Sequence, residues 1–245
     1  MPSPSFLRGA GYLLTGLTLL AAPGLRRFVF APLLIGTVLF AAGSWIALTQ
    51  VLSWSAWLNS HLPGWLQWME WILVPLLFGS VGILLFTTLG TIANLIGAPF
   101  NALLAQQVEI HLTGRFAGSE VQQPPGLLEN IFPPIRSEIQ KIFYYLARAL
   151  PLLILFVVPV VQIAAPFVWM IFSSWMNAFQ YADIPMSNHN LYDKEILARL
   201  RQKRLLSLGF GAATLVMSLI PFVNFLAMPA AVAGATALWV KEWQG

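Results

Sequence analysis

Arg26 and Arg27 stand side by side after Pro23, Gly24 and Leu25, at the head of an uncharged run that lasts to Met69. Two guanidiniums offer rigid, permanently charged forks of N–H donors, a geometry suited to a tetrahedral oxyanion. A helix beginning here would add unpaired backbone N–H groups at its positive end, and Gly24 lets the backbone come close to a ligand. The chemistry on offer is anion binding. Adjacent arginines at a cytoplasmic membrane edge also serve as topology anchors, and these residues by themselves leave both roles open.

The other candidates are fewer and plainer. Asn94 and Asn101 lie two helical turns apart, so they share a helix face, where they would either line a polar path or bond a neighbouring helix. Glu109 closes the second uncharged run; we expect a solvated interfacial carboxylate within reach of Arg115 or of the arginine pair. Gln162 and Asn224 each follow a proline, Pro159 and Pro221, by three residues and are expected to satisfy backbone groups where a helix breaks; Asn224 joins the asparagines as a pathway or support candidate. His61, His111 and His189 show no metal-ligand spacing and read as surface or interfacial side chains. With no cysteine, no G-x-S-x-G, no P-loop and no G-x-G-x-x-G, we expect no catalytic residue, metal or cofactor, and do not read the chain as an enzyme.

The elements that must position these residues are set by the solvent they need. Of 245 residues 58% are hydrophobic and 9% charged, against roughly a quarter charged in a soluble domain. No charge occurs between Arg27 and Glu70, Glu70 and Glu109, Arg148 and Asp183, or Arg204 and Lys241, which excludes a soluble enzyme and a disordered chain. The net charge of +4 is too small to argue for nucleic acid; in a membrane protein it reports topology. Met1 to Leu7 lack the basic start of a cleavable signal, so the N-terminus reads as mature.

A bilayer core of about 30 Å needs about 20 apolar helical residues. Residues 28–52 and 71–105 meet that length and are expected to cross, joined by a non-cytoplasmic connection (53–70) whose Trp54, Trp57, Trp65, Trp68 and Trp71 form an aromatic belt. That connection has no Lys or Arg, so the basic segments on either side, both termini included, fall on the cytoplasmic face. Residues 150–182 and 205–240 must then leave and return on one side. Halved, each gives helices of about 22 Å, short of a crossing, with prolines at the bend. The expected fold is an all-α integral membrane protein with two full transmembrane helices plus two partly membrane-inserted helical hairpins. Cytoplasmic parts complete one membrane domain: an interfacial helix and anion motif (1–27), helices and loop (106–149), a basic helix (183–204) and a tail (241–245). A loop is expected from Gly118 to Pro134. Ile135, Ile139, Ile142, Phe143, Leu146 and Leu150 then mark one helix face, and Ile196, Leu197 and Leu200 another, with Glu195 and Arg199 spaced to pair. The run Arg199, Arg201, Lys203, Arg204 is expected to meet anionic lipid.

The Gly24-Leu25-Arg26-Arg27 motif with Pro32, the segment from Asn94 through Gly97 and Pro99 to Asn101, and the closing stretch from Pro221 through Asn224 and Pro229 to Gly234 and Thr236 together resemble the CysZ family of bacterial sulfate permeases. The resemblance covers nearly the whole chain. It implies sulfate uptake across the inner membrane for cysteine biosynthesis, sulfate (with sulfite or thiosulfate as its relatives) bound at Gly24, Leu25, Arg26 and Arg27, and a homo-oligomer in the lipid. The crossing runs contain no Asp or Glu, so channel-like flux is expected over proton symport. A non-transporting membrane scaffold or regulatory subunit is the alternative.

Overall fold

A computed structural model describes residues 5–116, 127–221 and 223–244, with the side chains of Asn94 and of residues 127–138 outside that description. The described residues form eight α-helices and no strand: α1 Phe6–Leu20, α2 Arg26–His61, α3 Glu70–Thr113, α4 Leu127–Ile154, α5 Ala165–Ser187, α6 Asp193–Gln202, α7 Arg204–Leu219 and α8 Asn224–Trp239. The chain divides into two compact units, residues 28–100 and the remainder.

In the first unit, α2 and α3 pair at Gly43, where a Cβ would come within 2.7 Å of Leu89 Cδ1; small residues allow such approach where lipid supplies no hydrophobic drive. Both helices are long and apolar enough to cross a membrane. At 36 and 44 residues they reach about 54 and 66 Å, well past the bilayer core. Helix α2 does not stop at the expected connection but continues to His61, because no proline or glycine follows Gly43 until Pro63 and Gly64. A 3₁₀ turn over Gly64–Met69 and a bond from Asn59 Nδ2 to Glu70 Oε1 close the reversal. Trp54, Trp57, Trp65, Trp68 and Trp71 are all exposed there.

The second unit is built around α8. Its residues from Ala230 to Trp239 are all buried, and a helix apolar on every side belongs in an interior. Helices α1, α5 and α7 surround it, and the contacts are backbone to backbone. A Cβ at Gly9 would overlap the Leu206 carbonyl, one at Gly209 the Phe6 carbonyl, one at Gly16 the Ala230 carbonyl, and one at Gly211 the Ser174 carbonyl. Helix α1 is capped by Ser5, whose Oγ accepts the Arg8 N–H at 3.1 Å, and buries Gly9, Tyr12, Leu13, Gly16 and Leu19 on one face.

Two reversals complete this unit. Helix α4 ends at Ile154, the chain turns through Pro159 and a 3₁₀ turn at Val161–Ile163, and α5 leaves at Ala165. Helix α7 ends at Leu219 and α8 begins at Asn224. An ion pair closes the open end of each: Lys141 Nζ lies 2.8 Å from Asp183 Oδ2, and Lys203 Nζ 2.7 Å from Glu242 Oε2.

Three expectations change. The loop from Gly118 to Pro134 is helix from Leu127 onward, since the 3.6-residue spacing of Leu127, Leu128, Ile131, Phe132 and Ile135 runs straight through the prolines; residues 117–126 lie outside the described part. The basic helix expected over 183–204 is not continuous: α5 runs on to Ser187, α6 begins at Asp193, and Lys203, with φ −124° and ψ 54°, turns the chain from α6 into α7. Ile196, Leu197 and Leu200 do share a buried face, packed with Phe179, Ala182, Met186 and Trp239. Glu195 turns back to accept the Tyr192 N–H at 3.3 Å, and Arg199 lies over the Trp239 ring at 4.9 Å, because capping and ring stacking bring these side chains partners closer than each other.

Candidate functional site

Five residues, Ala21 to Leu25, connect α1 to the start of α2. Ala22, Pro23, Gly24 and Leu25 form a turn closed by the Leu25 N–H on the Ala22 carbonyl at 3.3 Å. Proline second and glycine third suit a turn that needs a positive φ at its third residue, and Gly24 has φ +89°. A side chain at 24 would meet no atom within 4 Å, so glycine is required there by the sign of φ and not by crowding. Leu25 is only 3% exposed and pins the turn, while α2 begins directly at Arg26. The first N–H groups of α2 therefore follow the turn, beside two exposed guanidiniums. Arg26 donates Nε to the Ala21 carbonyl at 2.9 Å, which fixes the plane of its guanidinium. Turn, helix end and paired forks form one basic feature able to receive a small oxyanion.

The remaining candidates lie elsewhere in the fold. Asn101 Nδ2 lies 3.5 Å from Met228 Sδ on α8. The Asn94 side chain lies outside the described residues. Asn224 opens α8, but the N-cap position falls on Val223 and carries no side-chain cap; Val160, not Gln162, stands before the 3₁₀ turn, also without one. The expected capping roles of Gln162 and Asn224 give way to turns closed by backbone bonds, such as the Asn224 N–H on the Ile220 carbonyl at 3.0 Å.

Glu109 is the clearest correction. It is 1% exposed, not solvated; its Oε2 lies 2.7 Å from His189 Nε2, and its Oε1 accepts Gln244 Nε2 at 3.0 Å. His189, expected at a surface, has only 12% of its side chain exposed. Helix α3 ends where the chain's tail returns, so the carboxylate is covered. Among the described residues no group of three or more metal-ligating side chains forms.

The tail also holds a cluster that sequence reasoning missed. After α8 the chain winds into a π turn over Val240–Gln244, and there Glu242 Oε1 accepts the Tyr12 hydroxyl at 2.6 Å and the Arg8 guanidinium. Burial works to raise the Glu242 carboxyl, but hydrogen bonds from Lys203 and Tyr12 and the charges of Lys203 and Arg8 outweigh it and hold it low. Burial, then the bond to Glu242, pushes the Tyr12 phenol up to about 12. The signal was present: Glu242 is the one acid after Glu195, and a reversal over 205–240 returns it to the basic run.

The cluster contributes its own pH dependence to stability. Its contribution is complete above the ordinary carboxylate value of 4.5 and is lost as pH falls through the lowered Glu242 range; the Tyr12 contribution is complete below pH 10 and lost toward 12. Glu242→Gln should cost about 2 kcal/mol at neutral pH and leave a shallower acid limb in thermal unfolding of the detergent-solubilised protein. An acid limb as steep as the parent's would place the sensitivity elsewhere.

Among the described residues, an all-helical fold with two helices of membrane-crossing length, one of them headed by a basic turn, defines a helical membrane protein. Comparison with known proteins is specific: the family model described as Sulfate transporter CysZ/Etoposide-induced protein 2.4 matches residues 12–229, and the chain belongs to that family. A relative from Salmonella typhimurium named Sulfate transporter CysZ is 41% identical over 242 residues, covering 96% of this chain and 93% of its own. One of the same name from Pectobacterium atrosepticum is 39% identical over 240 residues, covering 96% and 86%.

Proposed function

We propose that the protein carries sulfate across a bacterial inner membrane, feeding assimilation into cysteine, with sulfate received at Gly24, Leu25, Arg26 and Arg27. The observation that carries this reading is the turn itself, in a chain that matches sulfate transporters almost end to end. A positive-φ glycine, a buried leucine and two guanidiniums at a helix start combine charge, direction and close backbone approach. Sulfate would exchange water for these donors and move along a polar route to which Asn94, Asn101 and Asn224 contribute, with Glu109 supporting the α3 end through His189 and Gln244. Helices α2 and α3 span the bilayer, and the α4–α5 and α7–α8 pairs dip partway into it from the cytoplasmic side, where both termini lie. The route forms between copies in a homo-oligomer, because helices of about 24 Å, as α7 and α8 are, do not enclose a pore alone.

Flux is channel-like and follows the sulfate gradient. Residues 28–69 and 71–108 hold no Asp or Glu, so a carboxylate relay has no members within the spans. In proteoliposomes with a fixed sulfate gradient and clamped voltage, reversing an imposed pH gradient should change sulfate flux by less than about twofold, an energetic difference below about 0.4 kcal/mol at ~25 °C. A several-fold dependence would bring the Glu109–His189 pair into the transport cycle. Complete absence of protein-dependent flux would favour a membrane scaffold.

A further inference from the structure

The basic run between α5 and α7 is split by the fold. Arg199 and Lys203 are used internally, on the Trp239 ring and the Glu242 carboxylate. Arg201 and Arg204 are exposed, and neither has an ion partner among the described residues. They flank the break at Lys203 where α7 starts. Helix α7 then carries an apolar strip: Leu205, Val216 and Leu219 are 60%, 55% and 73% exposed, and at 100° per residue they fall within about 60° of one another on the helix wheel. The strip is about 21 Å long, and Arg201 and Arg204 stand at its Leu205 end, where Lys203 between them is taken up by Glu242.

An exposed apolar strip ending in outward guanidiniums matches one kind of molecule, an amphiphile with an anionic head. We infer that the α6–α7 junction is a seat for an anionic phospholipid, with Arg201 and Arg204 on the headgroup phosphate and an acyl chain along Leu205, Val216 and Leu219. Charge complementarity selects the head and the length of the strip selects a single leaflet. The seat shares no residue with the Gly24–Arg27 turn, so it stands apart from the sulfate reading. A free phosphate or sulfate has the same head chemistry but makes no use of the strip.

The test uses the full-length protein in neutral detergent, titrated with phosphatidylglycerol or phosphatidylcholine of equal chain length, with retained lipid counted by native mass spectrometry. The parent should prefer phosphatidylglycerol, and R201Q/R204Q should lose roughly tenfold or more of that preference. R201K/R204K should keep most of it, and all three proteins should bind sulfate alike, which shows that they are folded. Inorganic phosphate at the same concentration should not displace the lipid. An unchanged preference in R201Q/R204Q overturns the proposal, and so does displacement by inorganic phosphate, which would make the seat one for a free anion.

Discussion

Replacing Arg26 and Arg27 together with glutamine will weaken sulfate binding by at least about a hundredfold while the protein still inserts and assembles. A charge-assisted bond to an anion contributes about 1.5–3 kcal/mol, and each 1.4 kcal/mol is about tenfold in affinity, so two such losses reach that figure. Glutamine keeps a polar side chain of moderate length, so the change is chiefly one of charge. The structure adds a control. Arg26 holds the Ala21 carbonyl through Nε, a bond that a lysine cannot reproduce in the same plane. Single glutamine variants should therefore differ, Arg26→Gln disturbing the turn as well as the charge. Titration calorimetry on protein matched for oligomeric state reads both effects. Binding unchanged in the double variant would leave these arginines as topology anchors.

The second large effect concerns the core around α8. Gly211→Val should cost about 3 kcal/mol or more and reduce sharply the fraction of protein that remains monodisperse in detergent after mild heating. A Cβ at 211 falls on the Ser174 backbone, which has no rotamer by which to yield, so α7 and α5 must separate. Gly82→Val is the matched comparison, because a Cβ there meets nothing within 4 Å. It should behave like the parent. Equal loss in the two variants would mean that glycine content as such, and not the close helix contact, sets the stability.

The parts of this architecture that were legible in the sequence are those written in charge. Uncharged runs bounded by Arg27, Glu70 and Glu109 mark α2 and α3, since a bilayer excludes unpaired charge over a fixed length. The start of α2 beside Gly24 was legible too, because the charge pair Arg26 and Arg27 ends where the uncharged run begins. What stayed hidden depends on how separate segments meet. The stretch 205–240 is uniformly apolar, so hydropathy could not tell the exposed Leu205, Val216 and Leu219 of α7 from the buried interior of α8. Only the small residues Ala230, Ala231, Ala233, Gly234, Ala235 and Ala237 hint at which helix is enclosed. Glu109 read as solvated for the same reason. Its cover comes from His189 and Gln244, 80 and 135 residues away, and no local pattern carries that information.

The most direct measurement is uptake of labelled sulfate by liposomes reconstituted with equal amounts of inserted parent or R26K/R27K protein, alongside empty liposomes. The double-lysine protein keeps the positive charge that sets topology but loses the planar fork of donors. Protein-dependent uptake by the parent, falling at least about tenfold in R26K/R27K, is the predicted result, one fork-specific bond being worth about 1.4 kcal/mol. Equal uptake by the two proteins would contradict the assignment of Arg26 and Arg27 as the sulfate site.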